Sequence, residues 1–286
     1  MHLGIFTKIF VRPTLEGALD AVAAHGLRWM QFNFACAGLP NLPDEEIAPA
    51  LLSNLRQQLD ARGLSMAAVS GTFNMAHPDP QQRGEGLRRL PFLAAACREL
   101  EVPVITLCTG TRDPQDMWRH HPENSSPEAW RDLTETLSEA LTVAAQFGVT
   151  LAFEPEVSNV VDSARQGRRL LDEMQSPHLK VVMDAANLFA SGKLPRMREV
   201  LNEAFQLLGA DIVLAHAKDL DRDGEAGHQA AGTGLLDYDY YLRLLHQSGF
   251  RGALLLHSLA ESQVDQSVRF VREKLARLEG SSIRSR

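Results

Sequence analysis

Short apolar, β-branched runs alternate with longer amphipathic stretches along the whole chain. A run of a few residues bounded by turn signals predicts a strand, and apolar positions three and four apart predict a helix. Strands are predicted at 3–6, 29–34, 64–70, 103–109, 149–154, 179–184, 212–218 and 253–257. Helices are predicted at 14–25, 44–62, 81–100, 127–147, 163–174, 196–208, 238–247 and 264–278. Thr14 and Asp44 stand where N-caps belong, and Gly26, Gly63 and Gly148 stand just past helix ends. The final residues 281–286, SSIRSR, read as a disordered tail.

Eight strand–helix units with no linker between them predict a single-domain α/β fold, a closed (β/α)8 TIM barrel over residues 1–280. The length of 286 residues suits it, since about 250 is usual for this barrel. A doubly wound open sheet is the alternative. The count of eight, and the lack of a glycine fingerprint after the first strand, argue against it. Helix-to-strand connections are short, whereas the strand-to-helix segments 71–80, 110–126 and 219–237 are long. In a barrel those long loops share the face on which the strands end, where chemistry occurs.

Composition narrows the classes. Hydrophobic residues at 44% and charged residues at 23% are ordinary for a globular protein. Three scattered cysteines without a CxxC pair suggest neither a disulfide framework nor a zinc knuckle, and fit a reducing, cytoplasmic setting. The N-terminal MHLGIFTKIF reads as a first strand rather than a signal peptide. No apolar run approaches bilayer length, so no membrane association is expected. With a net charge of −7 and no Lys/Arg stripe, nucleic acid is not an expected partner.

The candidate chemistry lies at four consecutive strand ends. Glu154 ends LAFE, Asp184 ends VVMD, His216 lies near the end of IVLAHAK, and His257 ends ALLLH. Neighbouring strands lie about 4.8 Å apart, so four inward side chains would converge above the barrel floor. Period-two alternation supports that direction: Ala152 and Val182 then face inward, and Leu151, Phe153 and Met183 face the helices. Two carboxylates beside two imidazoles form an oxygen–nitrogen donor set that suits a divalent metal such as Mn²⁺, Zn²⁺ or Co²⁺. Any one of these residues alone reads better as a strand-end hydrogen-bonding group; four together favour a metal centre.

At these residues the chain resembles the sugar phosphate isomerase/epimerase family, the xylose-isomerase-like or AP-endonuclease-2-like TIM barrels. The stretches that carry the resemblance are LAFEPE, VVMDAANLF, LAHAKDLD, and GTGLLDY leading to GALLLH. The resemblance implies a divalent metal (Mn, Zn, Mg or Co) on Glu154, Asp184 and His216, with His257 where the family places a final glutamate. It implies a basic substrate contact at Arg222 and an H-x-K-D turn that includes Lys218 and Asp219. Asn187 stands where the family's D-x-x-H motif has histidine.

The expected activity is metal-dependent isomerisation or epimerisation of a sugar, keto-sugar or sugar phosphate through an enediolate. Glu154 or Glu156 would take the proton, and His257 could move one as well. Substrate contacts are expected from Asn187, Lys218, Arg222, Trp118, His120 and Phe73. For the Trp118 loop, sugar stacking and plain surface packing are equally weighted. Glu261, one turn beyond His257, would replace it as a ligand if its loop bent inward. Lyase or dehydratase action on an inosose-like or 3-keto-glycoside substrate stays open, as does a non-catalytic sugar-binding barrel and a homodimer.

Overall fold

The computed structural model describes residues 1–283. Strands β1 (His2–Phe6), β2 (Trp29–Phe32), β3 (Ser65–Ser70), β4 (Val104–Cys108), β5 (Thr150–Glu154), β6 (Leu179–Asp184) and β7 (Ile212–Asp219) run parallel in chain order. A two-residue strand β8 (Gln229–Ala230) pairs antiparallel with the end of β7, and β9 (Ala253–Leu256) lies between β7 and β1. Pairing of β6 with β7 completes the circle, so the barrel has eight parallel strands: β1 to β7 and β9.

Eight helices cover the outside: α1 (Leu15–Ala24), α2 (Pro49–Arg62), α3 (Pro80–Glu99), α4 (Pro127–Phe147), α5 (Ala164–Met174), α6 (Met197–Leu208), α7 (Tyr238–Gln247) and α8 (Val264–Ile283). Thr14 caps α1 by accepting from the Gly17 N–H. Two ends depart from the sequence reading. α2 begins at Pro49 rather than beyond Asp44, because proline has no N–H to give and belongs in a first turn. α8 continues to Ile283, so three of the six residues read as tail are helical, and 284–286 lie outside the described residues.

Two apolar layers result from strand alternation. Leu151, Phe153 and Met183 belong to the large core between strands and helices. Ala68, Val104, Ala152, Val182, Leu214, Ala253 and Leu255 form a separate cluster inside the barrel. Each member of this plug lies two residues, or a multiple of two, from an inward strand-end position. Glu154, Asp184, His216 and His257 therefore stand directly above a dry floor.

Candidate metal centre and active site

Glu154 and Asp184 are the last residues of β5 and β6, and His216 lies opposite Asp184 across the β6–β7 ladder. His216 Nδ1 is 3.4 Å from Glu154 Oε2 and 3.6 Å from Asp184 Oδ2. Among the described residues these three side chains form a group whose ligand atoms all lie within 4.8 Å of one another. Asp184 and His216 are buried, and Glu154 is partly exposed toward the cavity.

The surroundings prepare the group for a cation. Gln31, at the end of β2, donates to Thr106 Oγ1 through its amide nitrogen at 3.1 Å. Its carbonyl oxygen Oε1 therefore faces His216 Nε2, also at 3.1 Å, and holds the proton there. In the neutral ring the Nδ1 lone pair points at the two carboxylates, where no hydrogen-bond partner engages it. Asp184 Oδ1 accepts from the Ala186 N–H at 3.0 Å, while Oδ2 faces the Lys218 ammonium at 3.0 Å. Buried orphan atoms are costly unless something satisfies them. Zinc-type ligands lie about 2.1 Å from the ion, so tetrahedral partners are spaced by about 3.4 Å. The observed spacings fit a divalent ion with three protein ligands and an open position.

Titration properties follow from the same crowding. Burial works against a charged His216, but Glu154 and Asp184 outweigh it and push it up to about 9. Burial alone would raise Asp184; Lys218 and His216 hold it well below the usual carboxylate range instead. Glu156 is pushed up to about 7, first by burial and then by the charge on Glu154. Asn187 is fully buried, and its amide nitrogen donates to Glu154 Oε1 and, at 3.5 Å, approaches Glu156 Oε2. Its carbonyl oxygen accepts from the Gly227 N–H at 2.9 Å, which ties the loop after β7 to both glutamates.

A cavity of 480 Å³ opens above this group. Glu154, Glu156, His216, Lys218, His257 and Trp118 all line it, so most of the sequence candidates meet here. The remaining candidates are placed differently. His257 is outside the three-ligand group: its ring stacks on His216 at 4.7 Å and on Phe6 at 5.1 Å, and Nδ1 pairs with Ser258 Oγ at 2.8 Å. Burial and the nearby His216 and Lys218 cations keep it well below the usual imidazole range. Arg222 is largely exposed, paired with Asp221 and Glu225, and is not among the residues that line the cavity. Phe73 is buried with its ring over Gly86 of α3, where a Cβ would come within 2.1 Å of it. His120 is exposed and does not line the cavity. Glu261 is held by Arg12 rather than turned inward.

Sequence reasoning missed Gln31, Ser70 and Thr106, polar residues with inward parity on β2 to β4. The strand-end rule applied to the last four strands would have found them on the first half of the barrel. Asn33, Asn41 and Thr72 on the mouth loops carried no comparable signal.

The sequence matches the family described as xylose isomerase-like TIM barrel over residues 19–274, and the chain belongs to it. Among curated proteins, none matches significantly. Solved structures with the same fold include a D-tagatose 3-epimerase-like protein, 15% identical with TM-score 0.76, covering 99% of this chain and 100% of that one. An L-ribulose 3-epimerase is 16% identical with TM-score 0.75, covering 98% and 96%. The IOLI protein with a bound zinc atom is 17% identical with TM-score 0.72, covering 97% and 98%. No helix among the described residues is long and apolar enough to cross a membrane.

Proposed function

We propose that this chain is an isomerase or epimerase acting on a sugar, keto-sugar or sugar phosphate, moving a proton at a carbon beside a carbonyl. The observation that carries the reading is the buried Glu156 carboxylate, set beside a three-ligand group in one cavity. A divalent ion on Glu154, Asp184 and His216 would supply Lewis-acid polarisation of the substrate carbonyl. Glu156 takes the proton, since burial raises its affinity for one into the neutral range. Asn187 steadies the two glutamates at their separate tasks through one amide group. His257 lines the same cavity and, held neutral, offers a hydrogen-bonding group to a substrate oxygen. Trp118, about half exposed at the rim, offers a flat apolar face to a sugar ring. The apolar plug beneath keeps water from the floor and strengthens every charge interaction above it.

The similar structures of a D-tagatose 3-epimerase-like protein and an L-ribulose 3-epimerase support carbohydrate as the substrate class. The zinc in the IOLI structure supports the metal. Three free cysteines agree with residence in the cytoplasm. Elimination of a leaving group would need an acid, and the forces that keep His257 neutral work against that role. The test is incubation of keto-sugars with metal-loaded protein in D₂O, followed by mass spectrometry. Deuterium wash-in at the carbon next to the carbonyl is expected. Turnover without wash-in would refute proton transfer, and a product lighter by one water would identify a lyase.

A further inference from the structure

We propose that Lys218 is a built-in competitor for the cation, holding down the affinity of the centre so that its metal stays exchangeable. The proposal rests on the metal reading of Glu154, Asp184 and His216. Lys218 follows His216 by two residues on β7, so both side chains enter the barrel on the same face. The antiparallel pairing of Lys218 with Ala230 keeps the strand regular to that point, and the Tyr238 hydroxyl fixes the Lys218 carbonyl at 2.9 Å. The backbone at Lys218 is thus anchored, and its side chain is buried.

Its Nζ lies 3.0 Å from Asp184 Oδ2. Asp184 Oδ1 already accepts from the Ala186 N–H, and Oδ2 is the oxygen that faces His216 Nδ1 at 3.6 Å, so Oδ2 is the one placed for the cation. The ammonium and the metal therefore claim one atom. Lys218 is 4% exposed, and among the described residues Asp184 is its only ion-pair partner. Leaving Oδ2 costs the ammonium its ion pair in a buried site, where the more distant Glu154 and Glu156 charges compensate it only in part. If it stays, an ion about 2.1 Å from Oδ2 would have a like charge within about 5 Å, in surroundings where repulsion is poorly screened. Both courses weaken binding. In return, the acidic group is partly neutralised before any ion arrives, so the ligands keep their places in the metal-free chain.

The experiment measures Mn²⁺ and Zn²⁺ affinity of the chelator-stripped full chain by titration calorimetry, for wild type, Lys218→Met, Lys218→Gln and Lys218→Arg. Both neutral variants are expected to bind at least tenfold more tightly, and Lys218→Arg no more tightly than wild type. Two neutral side chains are used so that the answer does not depend on one variant folding. Thermal unfolding with and without metal gives a second readout, with a larger metal-induced rise in Tm for the neutral variants. Wild-type binding with unchanged or weaker binding in both neutral variants overturns the competitor role and leaves the metal centre standing. No binding by any of the four chains overturns the metal reading and this inference with it.

Discussion

Gln31→Leu isolates the residue that aims the histidine ligand. Gln31 is 4% exposed and makes two side-chain contacts of 3.1 Å, one with His216 Nε2 and one with Thr106 Oγ1. Leucine fills similar space but leaves both groups without their partner. An unsatisfied buried donor costs about 1–3 kcal/mol, so the pair should cost about 2–3 kcal/mol in the chelator-treated protein. For a domain near this size that lowers Tm by roughly 4–10 °C. The second consequence is specific to ligation. Without the Gln31 acceptor, nothing fixes the proton on Nε2, and Nδ1 is no longer held as the free lone pair. Loss of such an outer partner typically costs 10–100-fold in metal affinity. The assay is calorimetric titration of Mn²⁺ or Zn²⁺ into stripped wild type and variant, with calorimetric melting alongside. An affinity within about twofold of wild type, in a variant whose Tm has fallen, would refute the argument that Gln31 sets the tautomer.

Four other outcomes follow from the geometry. Glu156→Gln should lower kcat by about a hundredfold or more while metal affinity and Tm change little, measured by deuterium exchange and titration on one preparation. Trp118→Ala should raise KM about three- to tenfold with Tm unmoved, because the ring is 51% exposed and contributes stacking rather than core packing. Gly86→Ala should cost about 1–3 kcal/mol on thermal melting, as its Cβ would meet the Phe73 ring at 2.1 Å. Asp211 gives the pH test. Burial would raise its carboxyl, but Lys180 at 2.7 Å and Arg168 at 3.0 Å outweigh that and lower it. A carboxyl lowered on folding contributes stability above its unfolded pKa and loses it as pH falls through the folded value. Asp211→Asn should therefore cost about 1 kcal/mol at neutral pH and progressively less in acid, and a cost that grows in acid would contradict the ion pairs.

The barrel was legible because its signals are local and periodic. Ala152, Glu154, Val182 and Asp184 alternate with Leu151, Phe153 and Met183, and the structure sorts them into plug and outer core as that alternation requires. The convergence of Glu154, Asp184 and His216 was readable for the same reason: each ends an apolar run on consecutive strands. What the sequence hid depends on loops. Arg222 has the spacing of a substrate contact, yet its ion pairs with Asp221 and Glu225 lie toward solvent. Phe73 has the chemistry of a cavity wall, yet the space over a glycine one helix away receives it. His257 has the right strand position, but ring stacking between Phe6 and His216 decides where its nitrogens point. Such outcomes are set by contacts between residues far apart in the chain, for which no periodicity exists.

The plug of seven apolar side chains also governs traffic. Closed from beneath by Ala68, Val104, Ala152, Val182, Leu214, Ala253 and Leu255, the centre faces the cavity above it. Anything that enters the cavity meets a lining that includes Trp118 and Gly227. If the proposed ion and sugar both enter there, binding of either one should change the other's access, and the order in which they are added should alter the measured on-rates.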